Sequence, residues 1–183
     1  PATRPIFSST AINTPITFDW PSLSGPQQAA LGSSLVLDYL RGDQSKELRF
    51  AGGMFRNRVS TVLGDIVNST PLYSKAADFG YARKPAASVV LPVATATQGS
   101  TLYQAYVTAK RTTRTPLAIF GANDGMLHVL SASVPPTVGG GRELFAFVPR
   151  SQYFNLSQLT SAAYSHRFYV DGPVIEGDVF NGT

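Results

Sequence analysis

The sequence predicts a mainly β fold with a few helices set between its strands, and three observations predict it. Hydrophobic residues fill 43% of the 183 positions and charged residues only 14%, with 16 Gly and 13 Pro, a balance against long salt-bridged helices and toward short strands between turns. Eight Tyr and eleven Phe lean the same way, because aromatic rings suit a pleated, half-buried surface. Three apolar runs of strand length, residues 117–122, 126–131 and 142–148, follow one another across Asn-Asp-Gly and PPTVGGG, the pattern of a β-meander.

Taken in order, residues 1–25 are rich in Pro, Ser and Thr without sustained periodicity and read as an extended arm laid on something else. Pro26 fits a first helical position, and Leu31, Leu35 and Tyr39 recur every four residues, so one helix is expected to follow. Gly42 stops it in the left-handed conformation that closes helices, and residues 43–53 form a polar connector. From Leu63, LGDIVNSTPLYS predicts a short buried strand broken by Asn68, Ser69 and Pro71. A strand is expected at 88–93, then an exposed Thr/Gln/Gly loop up to residue 100. Leu102, Ala105, Tyr106 and Ala109 keep helical spacing and predict a short helix over 101–113. After the meander, Leu156 and Leu159 suggest a brief helix, and strands resume at 167–170 and 174–180 around Asp171, Gly172 and Pro173. The length suits one domain, or one plus an appended segment. The organisation expected is an arm, helix and connector over 1–54 and a β region over 55–183.

Charge and composition exclude some classes. No cysteine is present, so disulfides and thiolate metal sites are ruled out while the compartment stays open. Net charge is +4, yet Arg56 and Arg58, Arg83 and Lys84, and Lys110, Arg111 and Arg114 are small separate groups without a basic stripe, which argues against nucleic acid and for solvated faces and turns. No apolar run approaches the roughly 18 residues of a membrane span. The chain begins at Pro1 without a signal-peptide pattern, which reads as a processed chain or a fragment, and export stays possible.

Polar motifs can be weighed one by one. Asn123, Asp124 and Gly125 lie between two apolar runs and predict a tight two-residue hairpin turn, since Gly and Asx residues tolerate positive φ. His128 follows on the strand face of Met126 and Leu130, and no Ser/His/Asp spacing accompanies it, so a structural hydrogen bond to a neighbouring strand or turn is expected. His128 and His166 lack the paired spacing of zinc ligands. Asp171, Glu176 and Asp178 are the nearest thing to a metal cluster, but no D-x-[DN]-x-[DN]-G run occurs. Arg41, Gly42 and Asp43 spell RGD, an integrin-type motif, in the place where a cation, a glycine and a turn residue would close a helix.

Several longer stretches are recognisable together. FRNRVSTVLGDIVNSTPLY (55–73), PLAIFGANDGMLHVLSA (116–132), ELFAFVP (143–149) and YSHRFYVDGPVIEGDVF (164–180) resemble, in order and spacing, the C-terminal domain of PilC/PilY-type type IV pilus biogenesis proteins. FDWPSLSGPQQAALG (18–32) and DYLRGD (38–43) resemble the segment leading into it. The resemblance implies a modified β-propeller with inserted helices, in a pilus-tip adhesin exported to the surface of a Gram-negative bacterium. It implies minor pilins as partners, contact with host cells, and calcium in an Asp/Asn loop that this chain lacks.

A blade takes roughly 40 to 45 residues, so 55–183 holds two or three blades and the propeller is expected to be partial, with the natural protein and any calcium loop continuing past Thr183. LGDIVNSTP, with Gly64, Asp65, Asn68 and Pro71, and VDGPVIEGDV, with Asp171, Gly172, Pro173 and Asp178, are expected to be corresponding strands of different blades. No cofactor is expected within this segment. The rival class is a quinoprotein-like propeller dehydrogenase, against which stands the single tryptophan, Trp20, outside the expected blades. The expected function is therefore non-enzymatic: pilus assembly and adhesion by contact.

Overall fold

A computed structural model describes residues 3–81, 96–134 and 139–179. Among them, six strands form one open, mixed sheet: β1 (Ile6–Ala11), β2 (Thr14–Thr17), β3 (Leu72–Ser74), β4 (Leu117–Ala122), β5 (Met126–Ser131) and β6 (Glu143–Phe147). Their spatial order is β2-β1-β6-β5-β4-β3. The expected meander is β4-β5-β6, with β3 antiparallel at its far side, while β1 joins parallel to β6 through Ile6 opposite Ala146 and Phe7 opposite Phe147. The fold is mainly β, and among the described residues the sheet does not close.

The expected arm is itself part of this sheet. β1 and β2 form a hairpin whose turn holds Asn13 at φ 59, a conformation Asn tolerates better than most residues. Along β1 the side chains alternate: Ile6 enters the core, Phe7 faces out, and Ser8 is buried with its hydroxyl on the Val148 carbonyl (2.8 Å) and under the Tyr153 hydroxyl (2.9 Å). A Pro/Ser/Thr-rich stretch can therefore be strand when side-chain hydrogen bonds satisfy its buried polar atoms.

The single helix expected after Pro26 is two. α1 (Gly25–Leu31) ends at Gly32, φ +84, and α2 (Ser34–Leu40) starts afresh with the Ser33 side chain accepting from Val36 N–H. This break resets the buried face: Leu31 and Tyr39 stay in the core, but Leu35 turns outward at 38% exposure and Val36, Leu37 and Leu40 take its place. Gly42 at φ +107 then closes α2 as expected. α1, α2, a short α4 (Tyr153–Leu156) and the 3-10 turn Ser157–Thr160 pack on the sheet around Ile6, Phe18, Met126, Ala146 and Val148.

Other expectations are corrected. Within LGDIVNSTPLYS (63–74) the strand is confined to its end, β3 at Leu72–Ser74, and the expected buried run before it is exposed at Leu63, Ile66 and Val67. α3 runs Ala96–Thr113, so the helix begins inside the expected loop, and its buried positions are Val107 and Lys110, not Ala105, Tyr106 and Ala109. Residues 167–170 and 174–179 belong to no strand: the N–H groups of Arg167 and Tyr169 go to the side chains of Tyr164 and Asn123, and Pro173 between the two stretches has no N–H to donate. The strand expected at 88–93 and Phe180 lie outside the described residues.

Candidate functional site

The hairpin at Asn123–Gly125 organises the polar end of the sheet. Ala122 pairs with Met126, so the loop has three residues with Gly125 alone at positive φ (+90), not the two-residue turn expected. Its side chains reach outward to two passing segments. Asp124 accepts from Gly64 N–H (3.2 Å), and Asn123 accepts from Tyr169 N–H (2.9 Å) while its own N–H reaches the Asp65 carbonyl (3.0 Å). A Cβ on Gly64 would lie 2.2 Å from Asp124 N, and one on Gly121 would lie 2.3 Å from the Val170 carbonyl. Only glycine admits such backbone approach.

Behind the turn, His128 is buried on β5 and stacks on Phe120 at 5.5 Å. Nδ1 meets Glu143 Oε1 at 2.8 Å and Nε2 meets both Asp124 oxygens at 3.1 Å. Arg4 completes the bridge, gripping Glu143 with Nε (2.7 Å) and Nη2 (2.8 Å). Burial alone would lower the His128 pKa, but the hydrogen bonds to Asp124 and Glu143 raise it to about 9. Burial would likewise raise Glu143, yet His128 and Arg4 hold it down to about 2. At neutral pH the imidazolium donates from both nitrogens and keeps no lone pair for base catalysis. The arrangement ties β1, β5, β6 and the turn together.

The acids expected to cluster are dispersed. Asp171 binds the Asn68 N–H (2.9 Å) and side-chain amide (2.5 Å); Glu176 accepts from Ser74 (2.8 Å) and Arg114 (3.1 Å). Asp178 holds buried Lys110 with both oxygens at 2.8 Å, under the hydroxyls of Tyr103 and Tyr106. Among the described residues no three such groups come together as metal ligands. LGDIVNSTP and VDGPVIEGDV thus meet at Asn68–Asp171, with Ser74–Glu176 continuing the contact just past the first stretch, and neither stretch is strand in the described structure. Pro71 is exposed just before β3, and Gly172 and Pro173 are exposed in the opposite strip.

Curated proteins resemble this sequence. The chain is 37% identical over 157 residues, 86% of its length, to a type IV pilus biogenesis factor PilY1 homolog of Xylella fastidiosa (strain Temecula1). It is 35% identical over 182 residues, 90% of its length, to type IV pilus biogenesis factor PilY1 of Pseudomonas aeruginosa (strain PAK). The chain carries a PilY1-type segment. It spans only 11% and 14% of those two proteins. No protein-family model and no solved structure matches it.

In this PilY1-type segment the RGD tripeptide is engaged internally. Arg41 donates to the carbonyls of Phe18 (2.7 Å) and Arg4 (2.9 Å), and Asp43 accepts from Ser45 N–H and hydroxyl. His166, exposed, pairs with Asp65 at 2.8 Å. Two basic groups expected on solvated faces are instead buried: Lys110, and Arg58, whose Nε meets fully buried Glu47 at 2.8 Å while its guanidinium covers the Tyr39 ring at 3.6 Å. Tyr103, Tyr106 and Lys110 stand at i, i+3 and i+7, a readable signal of one shared face. Nothing local in the sequence marks Glu47 as buried; only its meeting with Arg58 does.

Proposed function

We propose that this segment is a non-enzymatic, structural part of a type IV pilus biogenesis factor and tip-associated adhesin, acting through contact with other proteins and surfaces. The likeness at 35–37% identity along 86–90% of the chain to proteins named type IV pilus biogenesis factors carries the pilus biogenesis part of the reading. Geometry supports contact over catalysis, since each carboxylate and imidazole singled out above is engaged in a structural tie. Surface chemistry supports it too. Residues 174–179 alternate like a strand, with Val174, Glu176 and Asp178 partly buried and Ile175 and Val179 exposed at 89% and 90%. Apolar surface of this kind marks an interaction face.

The antiparallel run β3-β6-type meander, four strands in all, has the strand count of one blade, which supports the reading as part of a modified β-propeller whose neighbouring blades cover that face. Minor pilins at the pilus tip are the proposed partners and the host cell surface the proposed target. The proposed location is the pilus tip or outer surface of a Gram-negative bacterium, with any calcium held outside this segment. No described helix is long and apolar enough to cross a membrane.

The test replaces Ile175 and Val179 together by Asp in cells producing the full-length protein. At unchanged protein level, fewer surface pili by electron microscopy and weaker twitching are expected; wild-type piliation, twitching and adherence would overturn the contact reading. Alcohol oxidation by the purified protein with pyrroloquinoline quinone and calcium would overturn the non-enzymatic part.

A further inference from the structure

One cleft is not explained by the ties described above. About 340 Å³ in volume, it lies between α2, residues 56–65, the hairpin tip and residues 159–166. Most charged groups lining it are already matched: Arg58 to Glu47, Asp65 to His166, Asp124 to His128. Arg56 is different. Its guanidinium lies over the Tyr164 ring at 4.0 Å and no carboxylate among the described residues pairs with it; Nε is sealed from solvent, so the fork meets the cleft through its Nη atoms. The ring holds the guanidinium carbon in place while the Nη end of the fork stays open to a carboxylate.

What surrounds Arg56 narrows the ligand. Val59, Val62 and Leu63 form an apolar wall that is partly or wholly exposed, and the Ser60 and Thr61 hydroxyls lie beside it. The volume sits at the low end of the roughly 300–1,000 Å³ of small-ligand sites, too small for a long passing strand. A chain end brings an anion and its own side chain together in little space. We propose that this cleft captures the C-terminal carboxylate of a partner protein, with Arg56 on the carboxylate and the last apolar side chain against Val62 and Leu63. The inference stands on the cleft alone and does not depend on the pilus reading.

The probe is a fluorescent hexapeptide ending in a free Leu carboxylate, titrated by anisotropy into the full-length protein. Saturable binding is expected, weakened at least about tenfold by amidating the peptide terminus or by Arg56→Gln, and unchanged by Arg142→Gln on the exposed surface. The amidated peptide needs no mutation, so the result does not hang on the variant's folding. Absence of binding, equal binding of acid and amide, or unchanged binding to Arg56→Gln would overturn the proposal. So would an amidated peptide with an internal Asp that binds as tightly as the free acid.

Discussion

The two ends of the sheet are held by different physics. At the β1-β6 end, Phe18, Leu31, Leu37, Tyr153 and Leu156 bury apolar surface between helices and strands, and polar exceptions such as Ser8 have their hydrogen bonds satisfied. At the β3-β4 end, two irregular segments are laced to the β4-β5 turn by Asn123 and Asp124, to each other by Asp171, to β3 by Glu176 and to α3 by Asp178, while Ile66, Val67, Ile175 and Val179 face outward. One end is held by a filled apolar core, the other by polar side chains that bind irregular segments.

The largest effect should come from the filled end. Phe18, fully buried and edge-on to Tyr153, should cost about 3–5 kcal/mol when changed to Ala, read as a lower urea midpoint. An effect below about 1 kcal/mol would erase the contrast. At the laced end, Asp178→Asn strips buried Lys110 of its charge partner, and losses of that kind run to about 3 kcal/mol or more. Amide exchange should rise in residues 164–179 and stay unchanged in β1 and β6; a uniform rise would mean that the two ends unfold as one.

The bridge between the ends titrates. The His128 value of about 9 lies above its ordinary 6.5, so its stabilisation is full below pH 6.5 and is lost as pH rises through 9. Glu143, at about 2 against an ordinary 4.5, stabilises above pH 4.5 and loses that contribution as pH falls through 2. The gap in melting temperature between the native protein and His128→Gln should therefore be widest between those limits and shrink toward pH 9. A gap constant from pH 6 to 9 would refute the charged bridge.

Smaller still, Asn123→Ala leaves the Tyr169 N–H without its acceptor and should cost about 1–3 kcal/mol in a urea melt. Ile175→Ser should change the isolated protein's stability by no more than about 0.5 kcal/mol, because the side chain touches little. A large loss there would mean that this surface is already packed.

Legibility followed the same divide. The meander strands and the Gly42 stop could be read because apolar runs and turn residues act locally. The helix over 26–42 was misread at Gly32, where one positive φ divides it, and the burial of Lys110 inverted the expected face of α3. The strands expected at 167–170 and 174–180 have strand-like composition, but residues 167–170 and 174–179 have no ladder partner among the described residues, and in 63–74 only Leu72–Ser74 found one.

By itself, the sequence determined the mainly β class, the hairpin position and the kinship with PilY1-type proteins, all of which reside in neighbouring residues and their order. Only the tertiary structure decided that the N-terminal stretch enters the sheet beside β6, and that Asp171, Glu176 and Asp178 serve three different partners. It alone left Arg56 unmatched in a cleft. Such pairings join residues far apart along the chain, and no local pattern specifies which distant cation, amide or carbonyl will lie within 3 Å.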